Sequence, residues 1–116
     1  MKPTDKAAPA MTRRMMVQYS GIVQDFNPVH YDDEFAKKLG LPGAIAQGPL
    51  TVLLAIDALV AQHGSERLAS VQTRLKAPVF PGDELQVKCD EQGNLSMRCG
   101  EREVLAGTVN LQDGME

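Results

Sequence analysis

Apolar positions along the first third of the chain recur at helical spacing in two short runs. In "RRMMVQYSG" Met15, Met16 and Tyr19 share one side, Thr12 is placed to cap the start, and Gly21 falls near the end. In "DEFAKKLG" Phe35 and Leu39 form an i,i+4 pair, Asp32 or Asp33 caps, and Gly40 stops the helix. The segment from Pro49 to His63 is different. Leu50, Val52, Leu53, Leu54, Ala55, Ile56, Ala58, Leu59, Val60 and Ala61 point in almost every direction around its axis, with Pro49 suited to the first turn and Gly64 to the exit. This pattern predicts a helix buried on all sides.

After Gly64 the period drops to two. Ala69, Val71, Thr73, Leu75, Ala77 and Val79 alternate with Ser70, Gln72, Arg74, Lys76 and Pro78. "FPGDE" makes a turn, "LQVKC" and "LSMRC" flank Gln92-Gly93-Asn94 as a hairpin, and "EVLAGTVNLQ" makes a last long strand. Helices thus precede an antiparallel meander with one apolar face. An α+β fold, the sheet wrapped around the buried helix, satisfies both patterns.

A chain of 116 residues supports one core. Residues 1–11, "MKPTDKAAPAM", read as a flexible lead-in and 12–116 as the single domain. The lead-in lacks the apolar run of a secretory signal, and the apolar stretch at 50–61 is too short to span a bilayer, so a cytoplasmic protein is expected. Twelve basic against fifteen acidic residues give a net charge of -3, which argues against affinity built on phosphate neutralisation and hence against a nucleic-acid partner. A turn at Gly93-Asn94 would set Cys89 opposite Arg98 and Cys99 opposite Lys88, so the thiols are expected reduced.

The candidate chemistry lies in "QDFNPVHYDD", residues 24 to 33. Pro28 fixes one φ angle and pushes Asn27 out of the helical region. Two readings stand: a polar capped turn, or a stiff loop that aims Asp25 and His30 at one point. A metal site from Asp25, His30, Asp32, Asp33 and Glu34 fits less well, because capping accounts for Asp32 and Asp33 and the other histidine, His63, ends the apolar helix. Met11, Met15, Met16 and Met97 read as packing residues.

"YSGIVQDFNPVHYDDEFAKKLGLPGAIAQGPLT" followed by "RLKAPVFPGDEL" resembles the MaoC-like hydratases and dehydratases, a family with the hotdog fold that includes (R)-specific enoyl-CoA hydratases. The motif carrying the likeness is the Asp-x-Asn-Pro-x-His run, Asp25 to His30, followed by the alanine-x-glycine entry to the central helix and the Pro-Gly-Asp turn. The resemblance implies that Asp25 and His30 are the catalytic pair and that the Gly48 N–H forms part of an oxyanion hole. It also implies hydration of a trans-2-enoyl thioester, or the reverse dehydration, with CoA or acyl carrier protein as the carrier, no other cofactor and no metal. A homodimer is implied, with a heterodimer of two hotdog subunits as the alternative. The chain departs from the family at Gln47, where histidine is common, at Pro49, and at Ile56, where some members carry serine.

Such a reaction needs a base for water, a proton for the α-carbon and a donor for the enolate oxygen. His30, Asp25 and the helix-terminal Gly48 N–H are the candidates. Asn27 is expected to brace the loop or touch substrate, Gln47 to support the loop and substrate preference, and Arg74 and Lys76, with Lys37 and Lys38, to meet nucleotide phosphates. Two alternatives remain: a non-catalytic acyl-thioester-binding subunit, and a hotdog thioesterase using Asp57 on the central helix.

Overall fold

Thr12 starts the first helix as its hydroxyl allows, accepting from the Met15 N–H at 3.1 Å. Helix α1 (Arg13–Val23) runs past Gly21 and closes at Gln24, whose backbone takes the left-handed conformation (φ 59°) and whose N–H returns to the Ser20 carbonyl. Asp32 caps α2 (Asp33–Lys38) by accepting from the Glu34 and Phe35 N–H groups. Its neighbour Asp33 is thereby free to bind elsewhere. It accepts from the Ala44 N–H and from Arg13, both at 2.9 Å, and these bonds lower its pKa. One carboxylate thus fastens α1, α2 and the chain entering the third helix, α3 (Gly48–His63).

The computed structural model describes residues 1–112. Five strands follow the order β1-β3-β4-β5-β2 across one antiparallel sheet: β1 (Thr4–Ala7), β2 (Leu68–Leu75), β3 (Gln86–Cys89), β4 (Asn94–Cys99) and β5 (Arg102–Leu111). The flexible lead-in expected at 1–11 is corrected here. Thr4 to Ala7 pair with Cys89 to Gln86, the Ala8 N–H donates to Leu85, and Met11 is fully buried. The domain therefore begins before residue 12, and its expected end at 116 lies outside the described residues. Thr4 is the strand's one buried position, so the segment shows no alternation of its own.

The hairpin register is also corrected. The Asp90 carboxylate accepts from the N–H groups of Gln92 and Asn94, and Gly93 has φ 88°, so the turn spans Asp90 to Gly93. Cys89 consequently faces Leu95, not Arg98, and Cys99 faces Arg102 of β5, not Lys88. Both thiols are free, and burial pushes that of Cys89 upward, away from the reactive thiolate.

Helix α3 lays Leu50, Leu54, Ala55, Ala58 and Leu59 into a core with Met16, Val87, Leu95, Met97, Leu105 and Val109. It is not enclosed all round. Pro49, Leu53, Asp57 and Ala61 form an exposed stripe, and Val52, Ile56 and Val60 are half covered. Five strands about 4.8 Å apart give a sheet only some 19 Å wide, enough to cover one side of a helix. The expected apolar face of β2 is incomplete for the same reason, with Leu75 at its end 53% exposed. Strand β2 is also an open sheet edge. No helix among the described residues is long and apolar enough to cross a membrane.

On the outer sheet face Glu103 accepts from Ser96 Oγ at 2.6 Å and Lys76 Nζ at 2.9 Å, with Arg98 at 3.5 Å. The serine bond first, then the lysine, lower its pKa from 4.5 to about 2. Its folded-state pKa is the lower one, so its contribution to stability is complete above about pH 4.5 and is lost as pH falls towards 2. Thermal melts should show wild type more stable than Glu103→Gln at pH 6, with the gap closing by pH 2. A gap independent of pH would contradict this role.

Candidate active site

The loop after α1 is built from its own polar atoms. The Asp25 N–H extends the helix end by donating to the Ser20 carbonyl at 3.1 Å. Asp25 Oδ1 accepts from the Asn27 N–H at 3.2 Å, and Asn27 Oδ1 accepts from the Val29 N–H at 3.1 Å. That second bond starts a single 3-10 turn, Pro28–His30, with proline at its first position. The turn carries the imidazole back towards Asp25. His30 Nε2 stands 3.9 Å from Asp25 Oδ2, with the His30 side chain 13% exposed and that of Asp25 49%.

The other ring nitrogen fixes the tautomer. His30 Nδ1 lies 2.9 Å from the Ile45 carbonyl oxygen, which can only accept, so Nδ1 carries the hydrogen. In the neutral ring the lone pair is therefore at Nε2, facing the carboxylate. A separation of 3.9 Å is too long for a direct hydrogen bond, yet an oxygen of water or substrate about 2.8 Å from each group bridges it. The Ile45 carbonyl also ties this geometry to the chain entering α3, because the Ile45 N–H donates to Val29 and the Ala46 N–H to Val79.

Gly48 opens α3, and a first-turn N–H has no acceptor within its own helix. Pro49 has no N–H, and the N-cap Gln47 makes no side-chain cap. The helix end therefore presents an uncapped donor at the positive end of the dipole. Beside it lies a mostly apolar groove of about 580 Å³ lined by Tyr19, Gly48, Pro49, Val52, Leu53, Thr73 and Leu75. A Cβ at Gly48 would lie 2.5 Å from Leu75 Cδ1, so glycine is what lets Leu75 pack this closely against the start of α3. Tyr19, Leu53, Thr73 and Leu75 were not candidates in the sequence, because their spacing reads as core and only the uncovered side of α3 turns them into a wall.

None of the other expected site residues lines the groove. Gln47 was expected to support the loop and substrate preference. It is 1% exposed, which removes it from direct substrate contact, and it ties the chain entering α3 to α1 by donating from Nε2 to the Met16 carbonyl at 2.8 Å and to Ser20 Oγ at 2.9 Å. Asn27 braces the loop, the first of its two expected roles, by capping the turn at the Val29 N–H. Arg74 falls, by strand alternation, on the face of β2 opposite Thr73 and Leu75, and Lys76 is paired with Glu103, so neither is brought to the groove. Lys37 pairs with Glu34 at 3.5 Å. Asp57 is exposed and borders a separate cavity of about 430 Å³ with Lys6, Ala8 and Leu54. Among the described residues no cluster of three or more His, Cys, Asp or Glu side chains is arranged to hold a metal ion.

Comparison with known proteins gives the same fold. PhaJ1, an R-hydratase from Pseudomonas aeruginosa, superimposes with a TM-score of 0.78 over 99% of this chain and 81% of that one at 20% sequence identity, which identifies the hotdog architecture. Among curated proteins, the chain is 31% identical over 96 residues to peroxisomal enoyl-CoA hydratase 2 of Arabidopsis thaliana, covering 76% of this chain and 31% of that protein. It is 37% identical over 71 residues to the peroxisomal hydratase-dehydrogenase-epimerase of Saccharomyces cerevisiae, covering 61% of this chain and 8% of that protein. The chain thus spans well under two thirds of either curated relative. The MaoC like domain family matches across residues 1–113, the lead-in strand included, and the chain belongs to that family of dehydratase domains.

Proposed function

We propose that the chain adds water across the double bond of a trans-2-enoyl thioester to give the (R)-3-hydroxyacyl thioester, or runs the reverse dehydration, with CoA or acyl carrier protein carrying the acyl group. The observation that carries this reading is the pairing of an imidazole lone pair with a carboxylate 3.9 Å away while Nδ1 is held by Ile45. A water between them is oriented by Asp25 and loses a proton to His30 Nε2 as its oxygen bonds to the β-carbon. Electrons move to the thioester oxygen, where the Gly48 N–H stabilises the enolate. Return of a proton from the pair to the α-carbon completes the product, so the net change is one water added and no electrons gained or lost. No cofactor is needed beyond the thioester carrier.

The relatives named for hydration support this reading, as does the apolar groove beside Gly48, which suits an acyl chain. The same groove is bordered by Leu53, 44% exposed, and by the open edge at β2. A second copy of the chain seated on that edge would roof the groove, and we include a homodimer in the proposal. The test is hydration of a series of trans-2-enoyl-CoA chain lengths by the purified protein, with chiral analysis of product. Turnover to the (R)-alcohol is expected. Binding without turnover would favour a non-catalytic subunit, and release of free thiol would favour a thioesterase.

A further inference from the structure

Three groups that the reaction needs come from different stretches of chain: Asp25 after α1, His30 in the turn, and Gly48 at the start of α3. Their relative positions must be set to within a fraction of an ångström, because misplacement of about 1 Å costs a reaction of this kind around 100-fold. His30 is referenced to α3 through Ile45. The link for Asp25 runs through two residues with no part in the chemistry. The Ser20 carbonyl accepts the Asp25 N–H at 3.1 Å, and the Ser20 hydroxyl accepts from Gln47 Nε2 at 2.9 Å. Gln47 is covalently joined to Gly48.

We propose, resting on the hydration reading above, that Gln47 and Ser20 form a positioning clamp that sets the Asp25 carboxylate against the Gly48 N–H. Three features distinguish this from ordinary core polarity. Gln47 occupies the N-cap position yet caps nothing, so its amide is spent on α1 and the donors of its own helix stay open. Both partners are nearly sealed from solvent, at 1% and 3% exposed. Gln47 Oε1 is buried with no hydrogen-bond partner, so the side chain is held by its two donations alone and tolerates an unsatisfied acceptor to make them.

The test compares Gln47→Met, which keeps the volume but not the donor, with Ser20→Ala and the double variant. Each single variant should lower kcat for crotonyl-CoA by about 10- to 100-fold with KM within about threefold, because what is lost is alignment and not binding. The double variant should be little worse than the poorer single one, since both break one link. Backbone amide chemical shifts without substrate should move at Asp25, His30 and Gly48 in both singles. Ser20→Ala keeps the Gln47 to Met16 bond and so remains informative if Gln47→Met fails to fold. A kcat unchanged in an active protein, a loss that follows thermal stability, or multiplied losses in the double variant would overturn the clamp. If wild type hydrates no enoyl thioester the functional reading fails, and the amide shifts then decide the clamp: movement at Asp25 and Gly48 upholds it, and none overturns it.

Discussion

His30→Ala should lower kcat/KM for enoyl-CoA hydration by about 10²- to 10⁴-fold, the range that a positioned general base supplies. The ring is the one group on the loop that both faces the carboxylate and has a free lone pair. Its removal also leaves the Ile45 carbonyl without a donor, a structural effect of about 1 kcal/mol that would confuse the result. His30→Asn separates the two effects. An asparagine amide can donate to Ile45 from near the position of Nδ1, yet it offers no base at the position of Nε2. The asparagine variant should therefore recover thermal stability towards wild type while remaining as inactive as the alanine variant. Recovery of more than a tenth of wild-type activity by His30→Asn would mean that the imidazole braces the loop and does not move the proton.

The second large effect concerns the Gly48 N–H. A proline at 48 deletes that hydrogen while keeping a backbone that a helix accepts at its first position, and Gln47 already holds ψ at 136°, within the range favoured before proline. Steric contact with Leu75 would obscure the result, so both variants should be made in a Leu75→Ala background. There, Gly48→Ala adds bulk and keeps the donor, whereas Gly48→Pro adds bulk and removes it. The proline variant should fall below the alanine variant by about 10²- to 10³-fold in kcat, the loss expected on deleting one oxyanion donor. Equal rates would show that the thioester oxygen is stabilised elsewhere.

The elements that could be read in the sequence were those fixed by local chemistry. Thr12 and Asp32 cap where their side chains permit, and Pro49 and Gly64 bound an apolar run too long for a strand. The pairing of Asp25 with His30 was legible through Pro28 and Asn27, which fold the loop within six residues. What escaped depended on partners distant in the chain. The lead-in strand gains its order from β3, some 80 residues away, and shows no alternation of its own. The hairpin register turned on Asp90, whose side chain closes the turn ahead of the Gly-Asn pair that usually marks it. Gln47 could not be recognised as a link to Ser20, because nothing between positions 20 and 47 encodes their approach. The uncovered stripe of α3 was hidden by an apolar pattern that reads the same whether a side chain meets its own sheet or another subunit.

The central claim is that Asp25 and His30 act on one shared oxygen. A double-mutant cycle in steady-state crotonyl-CoA hydration, comparing wild type, Asp25→Asn, His30→Ala and both together, tests it most directly. Groups serving a single water fail as a unit, so the double variant should lie within about tenfold of the poorer single variant. A double variant whose loss equals the product of the two single losses, or a wild type no faster than the double variant, would contradict it.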